Sequence, residues 1–205
     1  MTEDDARTAT AAIVGEAAMP ALTRFANQVR EESERQNLIA RATMDALWLR
    51  HILDSAQLLP LAKHAPGIWV DVGTGAGFPG MVIALATDRP VILVEPRRMR
   101  ADFLQRCIDE AGVADRVSVR QSKVERVTGL TAAVISARAV ALLDNLLDGT
   151  AQNADSATLY LLPKGQSATT ELNAARSRFK GLFHVEQSIT DPASGIIVAS
   201  NVRRA

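Results

Sequence analysis

The chain has 205 residues, 47% of them apolar, with 23 basic and 23 acidic side chains. That length and apolar content fit one domain with a core of its own and exclude a disordered chain. The balanced charge predicts no polyanion partner, although local patches stay free to bind one. The single cysteine, Cys107, excludes an internal disulfide and a cysteine-rich zinc site. No stretch approaches the roughly 20 apolar residues that a membrane span needs. The acidic start, Met1-Thr2-Glu3-Asp4-Asp5, lacks the basic region of a signal peptide. The expectation is a cytoplasmic monomer with no metal and no membrane contact.

Residues 1 to about 8 are polar and are expected to fray. From about 10 to 60 the pattern is helical. Leu22, Phe25, Ala26 and Val29 recur at i, i+3, i+4 and i+7, the stripe of an amphipathic helix, and Arg30, Glu31, Glu32, Glu34 and Arg35 fill its solvated face. Thr43 is placed to cap a second helix, with Met44, Leu47, Trp48, Ile52, Ala56 and Leu59 turned inward. On that helix Arg50 and Asp54, and His51 and Ser55, are spaced i,i+4 and share a polar face. An ordinary helix ion pair and a binding role stand as equal readings of these four residues.

At Ile68-Trp69-Val70-Asp71-Val72 the pattern turns to strand, followed by Gly73-Thr74-Gly75-Ala76-Gly77-Phe78-Pro79-Gly80. The glycines allow a tight turn with a backbone that a ligand can approach. Pro79 suits the first turn of a helix running through Met81 to Ala86. Strand, glycine turn and helix predict free backbone N–H groups at the bottom of a nucleotide-type cleft. Gly75-x-Gly77-x-x-Gly80 matches a dinucleotide fingerprint, whereas Asp71-x-Gly73-x-Gly75-x-Gly77 resembles the first motif of S-adenosylmethionine-dependent methyltransferases. The turn by itself leaves both open.

Val91 to Glu95 is the next strand. Its terminal carboxylate lies about twenty residues past the turn, where it can accept from both ribose hydroxyls of a nucleoside. A helix over Arg97 to Ala111 carries Cys107, which reads as a small apolar residue, and stops at Gly112. Further strands are predicted at Arg116 to Gln121, Ala132 to Ser136 and Thr158 to Leu162, then a helix from about Thr169 to Lys180. The apolar stretches Phe183 to Ile189 and Gly195 to Asn201 are joined by Thr190-Asp191-Pro192-Ala193-Ser194, a turn too short for a crossover helix, so this last pair must be antiparallel. The prediction is an α/β fold of class I S-adenosylmethionine-dependent methyltransferase type. A mostly parallel, Rossmann-like seven-stranded sheet with an antiparallel C-terminal hairpin spans 67–205, and a helical N-terminal extension spans 1–66.

Ligands of such sheets bind outside the carboxyl ends of the strands, where Gly73 to Phe78, Glu95, Val124-Glu125, Arg138 and Lys164 all fall. Tyr160-x-x-x-Lys164 has the spacing of a short-chain reductase pair, but that pair lies on a helix, and here it sits in a strand containing Pro163. Methylation through cytosine carbon needs a cysteine nucleophile, and Cys107 is mid-helix. Amino-group methylation of bases usually shows an Asn/Asp-Pro-Pro-aromatic loop, which Leu162-Pro163-Lys164-Gly165 is not. Guanine N7 fits what remains. It carries an exposed lone pair and no proton, so placement can do most of the work and no general base is required.

Asn37-Leu38, Arg50-His51-x-x-Asp54-Ser55, Asp71 to Gly80, Phe103-Leu104, Val124-Glu125, Ser136-Ala137-Arg138-Ala139 and Leu162-Pro163-Lys164-Gly165 occur in this order. Together they resemble the ribosomal RNA small subunit methyltransferase G family, also called glucose-inhibited division protein B, from about residue 35 to the C-terminus. The resemblance implies methyl transfer from S-adenosylmethionine to guanine N7 in the decoding-region loop of 16S rRNA in the small ribosomal subunit. It implies cofactor contacts from Asp71, Gly73, Thr74, Gly75, Gly77, Phe78, Glu95, Val124, Glu125 and Arg138. Arg50, His51, Asp54, Ser55, Arg138 and Lys164 are then substrate-side groups, with Arg138 and Lys164 as the catalytic, substrate-positioning pair. Two residues depart from the family pattern. Its fourth-strand motif is Ser-Arg-Ala, and its Lys-Arg pair before Phe-Leu is Met99-Arg100 here, with Arg97 or Arg98 as substitutes. Between 88 and 126 nine basic residues face seven acidic ones, most of them ordinary solvated helix charges. A small-molecule methyltransferase and a non-catalytic ribosome-assembly factor are the alternatives.

Overall fold

The computed structural model of the chain describes residues 1–138 and 142–205. Ala139, the last residue of the fourth-strand motif, lies outside the described residues. The helices are α1 (Glu3–Val14), α2 (Met19–Ser33), α3 (Asp54–Ala56), α4 (Leu58–Leu61), α5 (Gly80–Ala86), α6 (Arg98–Ala111), α7 (Leu143–Thr150) and α8 (Ala168–Ala175). The strands are β1 (Trp69–Val72), β2 (Val91–Val94), β3 (Val117–Arg120), β4 (Val134–Ala137), β5 (Leu159–Lys164), β6 (Phe179–Gln187) and β7 (Gly195–Arg204). They form one seven-stranded sheet in the order β3-β2-β1-β4-β5-β7-β6. The pairs from β3 to β5 are parallel, and β7 runs antiparallel to both β5 and β6. Pro163 is tolerated because it lies beyond Leu161, the last β5 residue paired with β4, where the strand has a neighbour on one side only.

Alternating side chains of β1 feed two cores. Trp69 packs with Leu22, Phe25, Val29, Trp48, Ile52, Met81 and Leu104, so the N-terminal helices share a core with α5, α6 and one face of the sheet. Val70 and Val72 face Ile135, Leu146, Leu147, Tyr160 and Leu172 on the other side. Among the described residues no helix is long and apolar enough to cross a membrane.

Among the differences from expectation, three have a clear physical cause. The N-terminus is helical from Glu3 and anchored: Thr2 and Asp5 form a reciprocal capping box on α1, and the Glu3 carboxylate accepts from the Trp48 and Leu49 N–H groups at 3.0 and 2.9 Å. The predicted second helix is broken into a 3₁₀ stretch at Arg41–Ala46, a π-helical stretch at Trp48–Leu53, and the short α3 and α4. Thr43 caps nothing; its hydroxyl donates to the Ala40 carbonyl. Finally, α8 ends at Ala175 and Phe179 already belongs to β6, because Phe179 is buried in the second core rather than on a helix face.

A polar chain under the sheet's centre fixes the turn after β1. The Trp69 indole N–H donates to Ser136 Oγ at 2.8 Å, and the Ser136 hydroxyl donates to Asp71 Oδ1 at 2.6 Å. Asp71 Oδ2 in turn accepts from the Gly80 N–H at 2.9 Å. Asp71 is fully buried. Burial pushes its carboxyl up to about 6, while the hydrogen bonds from Ser136 and Gly80 pull the other way. A carboxyl raised in the folded state adds stability that is complete below its unfolded value, near 3.8, and is lost as pH rises through about 6. Asp71→Asn keeps one acceptor oxygen but turns a donor NH2 toward either the Ser136 hydroxyl or the Gly80 N–H, and is expected to cost about 1–3 kcal/mol. In urea titrations that cost should shrink between pH 4 and pH 6; a cost that grows with pH over that window contradicts the account.

Candidate active site at the carboxyl ends of the strands

Strand order reverses between β1 and β4, whose last paired residues are Val72 and Ala137. The chain leaves this pair as Gly73 on one side and Arg138 on the other, at the switch point where open α/β sheets bind ligands. Gly73 sits at φ 64°, a conformation that disfavours any side chain, so a Cβ-free surface is built into the start of the turn. Gly77 has φ 98° and meets a different demand. A Cβ there would lie 2.8 Å from Phe25 Cζ and from Met81 Cγ, so this glycine seats α2 against the turn.

The turn frees fewer backbone N–H groups than expected. Gly73 and Thr74 donate to the Val94 carbonyl, Gly77 and Phe78 to the Thr74 carbonyl, Gly75 to Glu95 Oε2 and Gly80 to Asp71. A dinucleotide turn aims such donors at a pyrophosphate. Here most of them are spent inside the protein, which argues against the dinucleotide reading.

Above the turn opens a cavity of about 730 Å³. Gly73 to Ala76 and Phe78 line its floor. Leu38 to Ala40, Thr43, Arg50, His51 and Asp54 form one wall, and Pro163 to Gly165, Ser167 and Glu171 another. Ser188, Thr190, Asp191 and Ser194 to Ile196 close a third side, while Arg100, Arg138 and Leu142 complete the rim. Its volume and the Cβ-free floor suit a nucleoside-sized cofactor with room beside it.

Arg138 is the junction of these walls. Its Nη1 donates to the Arg50 carbonyl at 3.0 Å and to Asp54 Oδ2 at 3.2 Å, its Nη2 donates to His51 Nδ1 at 2.8 Å, and its guanidinium carbon lies 5.3 Å from the Phe78 ring centroid. Arg50 and Asp54 do not pair with each other. Arg50 reaches Asp191 at 3.2 Å, and Asp54, besides Arg138, accepts from Thr190 Oγ1 at 2.8 Å. The π-helical winding over Trp48–Leu53 is the reason, since an i,i+5 ladder removes the i,i+4 stacking of an α-helix. Ser55 donates to the His51 carbonyl and is buried away from the cavity.

Lys164 Nζ lies 2.8 Å from Glu171 Oε2, and both side chains are mostly buried. Glu171 also accepts from the Leu143 N–H at 3.1 Å and from Ser167 Oγ at 2.7 Å, so it joins the loops that follow β4 and β5. Burial raises its carboxyl, but the hydrogen bonds from Lys164, Ser167 and Leu143 outweigh it and leave the group lowered.

The sequence-predicted residues therefore divide. Gly73, Thr74, Gly75, Phe78, Arg50, His51, Asp54, Arg138 and Lys164 come together around one cavity. Asp71 and Gly77 brace the turn from beneath. Glu95, nearly buried, accepts from the Gly75 and Arg97 N–H groups and does not line the cavity. Val124 and Glu125 occupy a 3₁₀ turn after β3, outside the lining, with Val124 packed in the second core. Sequence reasoning passed over Thr43, Glu171, Thr190 and Asp191 as site residues. Arg100, whose Nη2 donates to the Asn37 carbonyl, was legible as the basic partner of Met99. Thr190 and Asp191 carried only a turn signal and Glu171 none. Cys107 is buried on α6 and burial pushes its thiol up to about 12, as its apolar reading requires.

The geometry agrees with three comparisons. A family model described as rRNA small subunit methyltransferase G matches residues 18–194. A ribosomal RNA small subunit methyltransferase G from Rhizorhabdus wittichii is 46% identical over 205 residues, covering 99% of this chain and 94% of that protein. Its counterpart from Novosphingobium aromaticivorans is 48% identical over 188 residues, covering 90% and 81%. Among solved structures, a methyltransferase from Geobacter sulfurreducens superimposes with a TM-score of 0.58 at 14% identity, covering 89% of this chain and 88% of that one. An MtNAS mutant in complex with S-adenosylmethionine gives 0.62 at 15% identity, covering 91% and 77%. These two show the fold, and the family model with the close relatives shows the lineage: the chain belongs to the rRNA small subunit methyltransferase G family.

Proposed function

We propose that this methyltransferase transfers a methyl group from S-adenosylmethionine to N7 of a guanine in the decoding-region loop of 16S rRNA. The observation that carries the reading is the placement of Gly73 and Arg138 directly after the paired Val72 and Ala137, both opening into one cavity of about 730 Å³. Bound S-adenosylmethionine supplies the activated methyl on its sulfonium. Gly73, Thr74 and Gly75 form the floor on which its methionine end rests, with Phe78 at the side. Asp71, Gly77 and Glu95 hold that floor from below. Val124 and Glu125, in the 3₁₀ turn after β3 and outside that cavity's lining, are assigned to the adenine side.

The acids of the cavity wall support a mechanism without a general base. Asp54, Asp191 and Glu171 are each committed to a cation, and both ring nitrogens of His51 are engaged. Guanine N7 has a lone pair and no proton to lose, so in-line placement can supply most of the barrier reduction. Arg138 and Lys164, at the ends of the neighbouring strands β4 and β5, are the cations that place the purine and its phosphate. Arg50 and Arg100 extend the positive rim, so binding to the small subunit should weaken steeply with salt. The target base reaches the cavity extruded or already unstacked.

Purified protein, small subunits lacking the modification and labelled S-adenosylmethionine test this directly. Nucleoside digestion of the rRNA should give N7-methylguanosine; label on another nucleoside or atom, or none, refutes the reading. Gly73→Asp should lower S-adenosylmethionine affinity at least tenfold by calorimetry, since a side chain at φ 64° fills the floor. Undiminished affinity would mean that the cofactor sits elsewhere. Lys164→Ala should reduce turnover about 100-fold, the scale of a misplaced substrate, with the cofactor affinity unchanged.

A further inference from the structure

His51 is tied at both ring nitrogens. A guanidinium can only donate, so the 2.8 Å contact from Arg138 Nη2 requires a lone pair on Nδ1 and puts the ring proton on Nε2. Nε2 lies 2.9 Å from Thr43 Oγ1, and that hydroxyl gives its own proton to the Ala40 carbonyl at 2.8 Å. Only one assignment satisfies every partner: Arg138 donates to His51, His51 to Thr43, and Thr43 to Ala40. The imidazole also stacks on Phe78, with centroids 5.0 Å apart and planes 29° from parallel. Phe78 is braced in turn by Phe25 of α2 at 5.4 Å.

The charged groups facing the ring favour the same state. Arg138 comes from the end of β4 and Arg50 from the ring's own π-helical stretch. The nearby acids are occupied elsewhere, Asp54 by Arg138 and Thr190, and Asp191 by Arg50. A second proton, on Nδ1, would set two donors and two cations 2.8 Å apart. Burial, followed by the Arg138 and Arg50 charges, lowers the imidazole to about 3.

We infer that His51 is a positioning residue: by accepting at Nδ1 it holds the Arg138 guanidinium against Phe78, and it neither contacts RNA nor moves a proton. The inference rests on Arg138 acting at the cleft as proposed above. It links the glycine turn, through Phe78, to the helical stretch at 48–53 and to β4. The geometry of the positive wall is therefore set before substrate arrives.

Two measurements test it. In ¹⁵N-histidine NMR, with His51→Asn used to assign the signal, Nε2 should carry the proton, Nδ1 should have the shift of an unprotonated nitrogen, and neither should titrate between pH 5 and pH 8. A proton on Nδ1, or a midpoint near the ordinary 6.5, overturns the assignment. In methyl transfer, His51→Asn keeps an acceptor at the Nδ1 position and should stay within about threefold of wild-type kcat, whereas His51→Leu should lose tenfold or more with cofactor affinity unchanged. Equal loss in both variants, or full activity in both, overturns the acceptor role. Failure of the wild-type protein to methylate rRNA would instead refute the functional reading, and the NMR result would still decide the state of His51.

Discussion

One guanidinium holds the active-site wall together. Arg138 sits at the carboxyl end of β4 and bonds at once to a carbonyl, a carboxylate and an imidazole of residues 50 to 54, while lying over Phe78 of the glycine turn. Its ion pair with Asp54 is about one-fifth exposed on each side, in a setting where a charge left without its partner is costly. Asp54 passes the constraint on to Thr190, Gln57 reaches Ser188 and the Ile189 N–H, and Arg50 meets Asp191, so the turn between β6 and β7 is held against the same helical stretch. Loops from distant parts of the chain are thereby fixed around one opening.

The floor of that opening is equally prearranged, by other means. The chain from Trp69 through Ser136 to Asp71 and Gly80 pins β1 to β4 and to the start of α5, and Glu95 holds the Gly75 N–H. With most of its backbone donors satisfied internally, the turn offers a braced surface rather than an anion cradle. A reaction that needs only alignment of a nucleophilic lone pair with a methyl group is well served by such a site. Under the proposed N7 transfer, binding energy goes into placement, and no acid or base has to be poised near neutrality.

Much of this was legible in the chain because it depended on local pattern. The strand after Ile68, the glycine turn, Glu95 at the end of the second strand, and a five-residue link too short for a crossover together dictate the sheet and its closing hairpin. Gly112, at φ 68°, ends α6 as its sequence position suggests. Long-range commitments were not legible. Arg50 and Asp54 have the spacing of an α-helical pair, yet their partners lie 141 and 84 residues away. Nothing in Thr2 to Asp5 announces that Glu3 will cap the stretch beginning at Trp48, 45 residues on. Glu171 is one polar residue in a helical run until folding brings Lys164, Ser167 and Leu143 to it.

The central claim is that His51 and Asp54 serve the reaction through Arg138 rather than by touching substrate on their own account. A double-mutant cycle on turnover with small-subunit rRNA addresses it, using Asp54→Asn, Arg138→Lys and the two combined. The account predicts that Asp54→Asn slows an enzyme with Arg138 intact but adds little once Arg138→Lys is present. Losses that multiply, so that Asp54→Asn costs the same in both backgrounds, would contradict it.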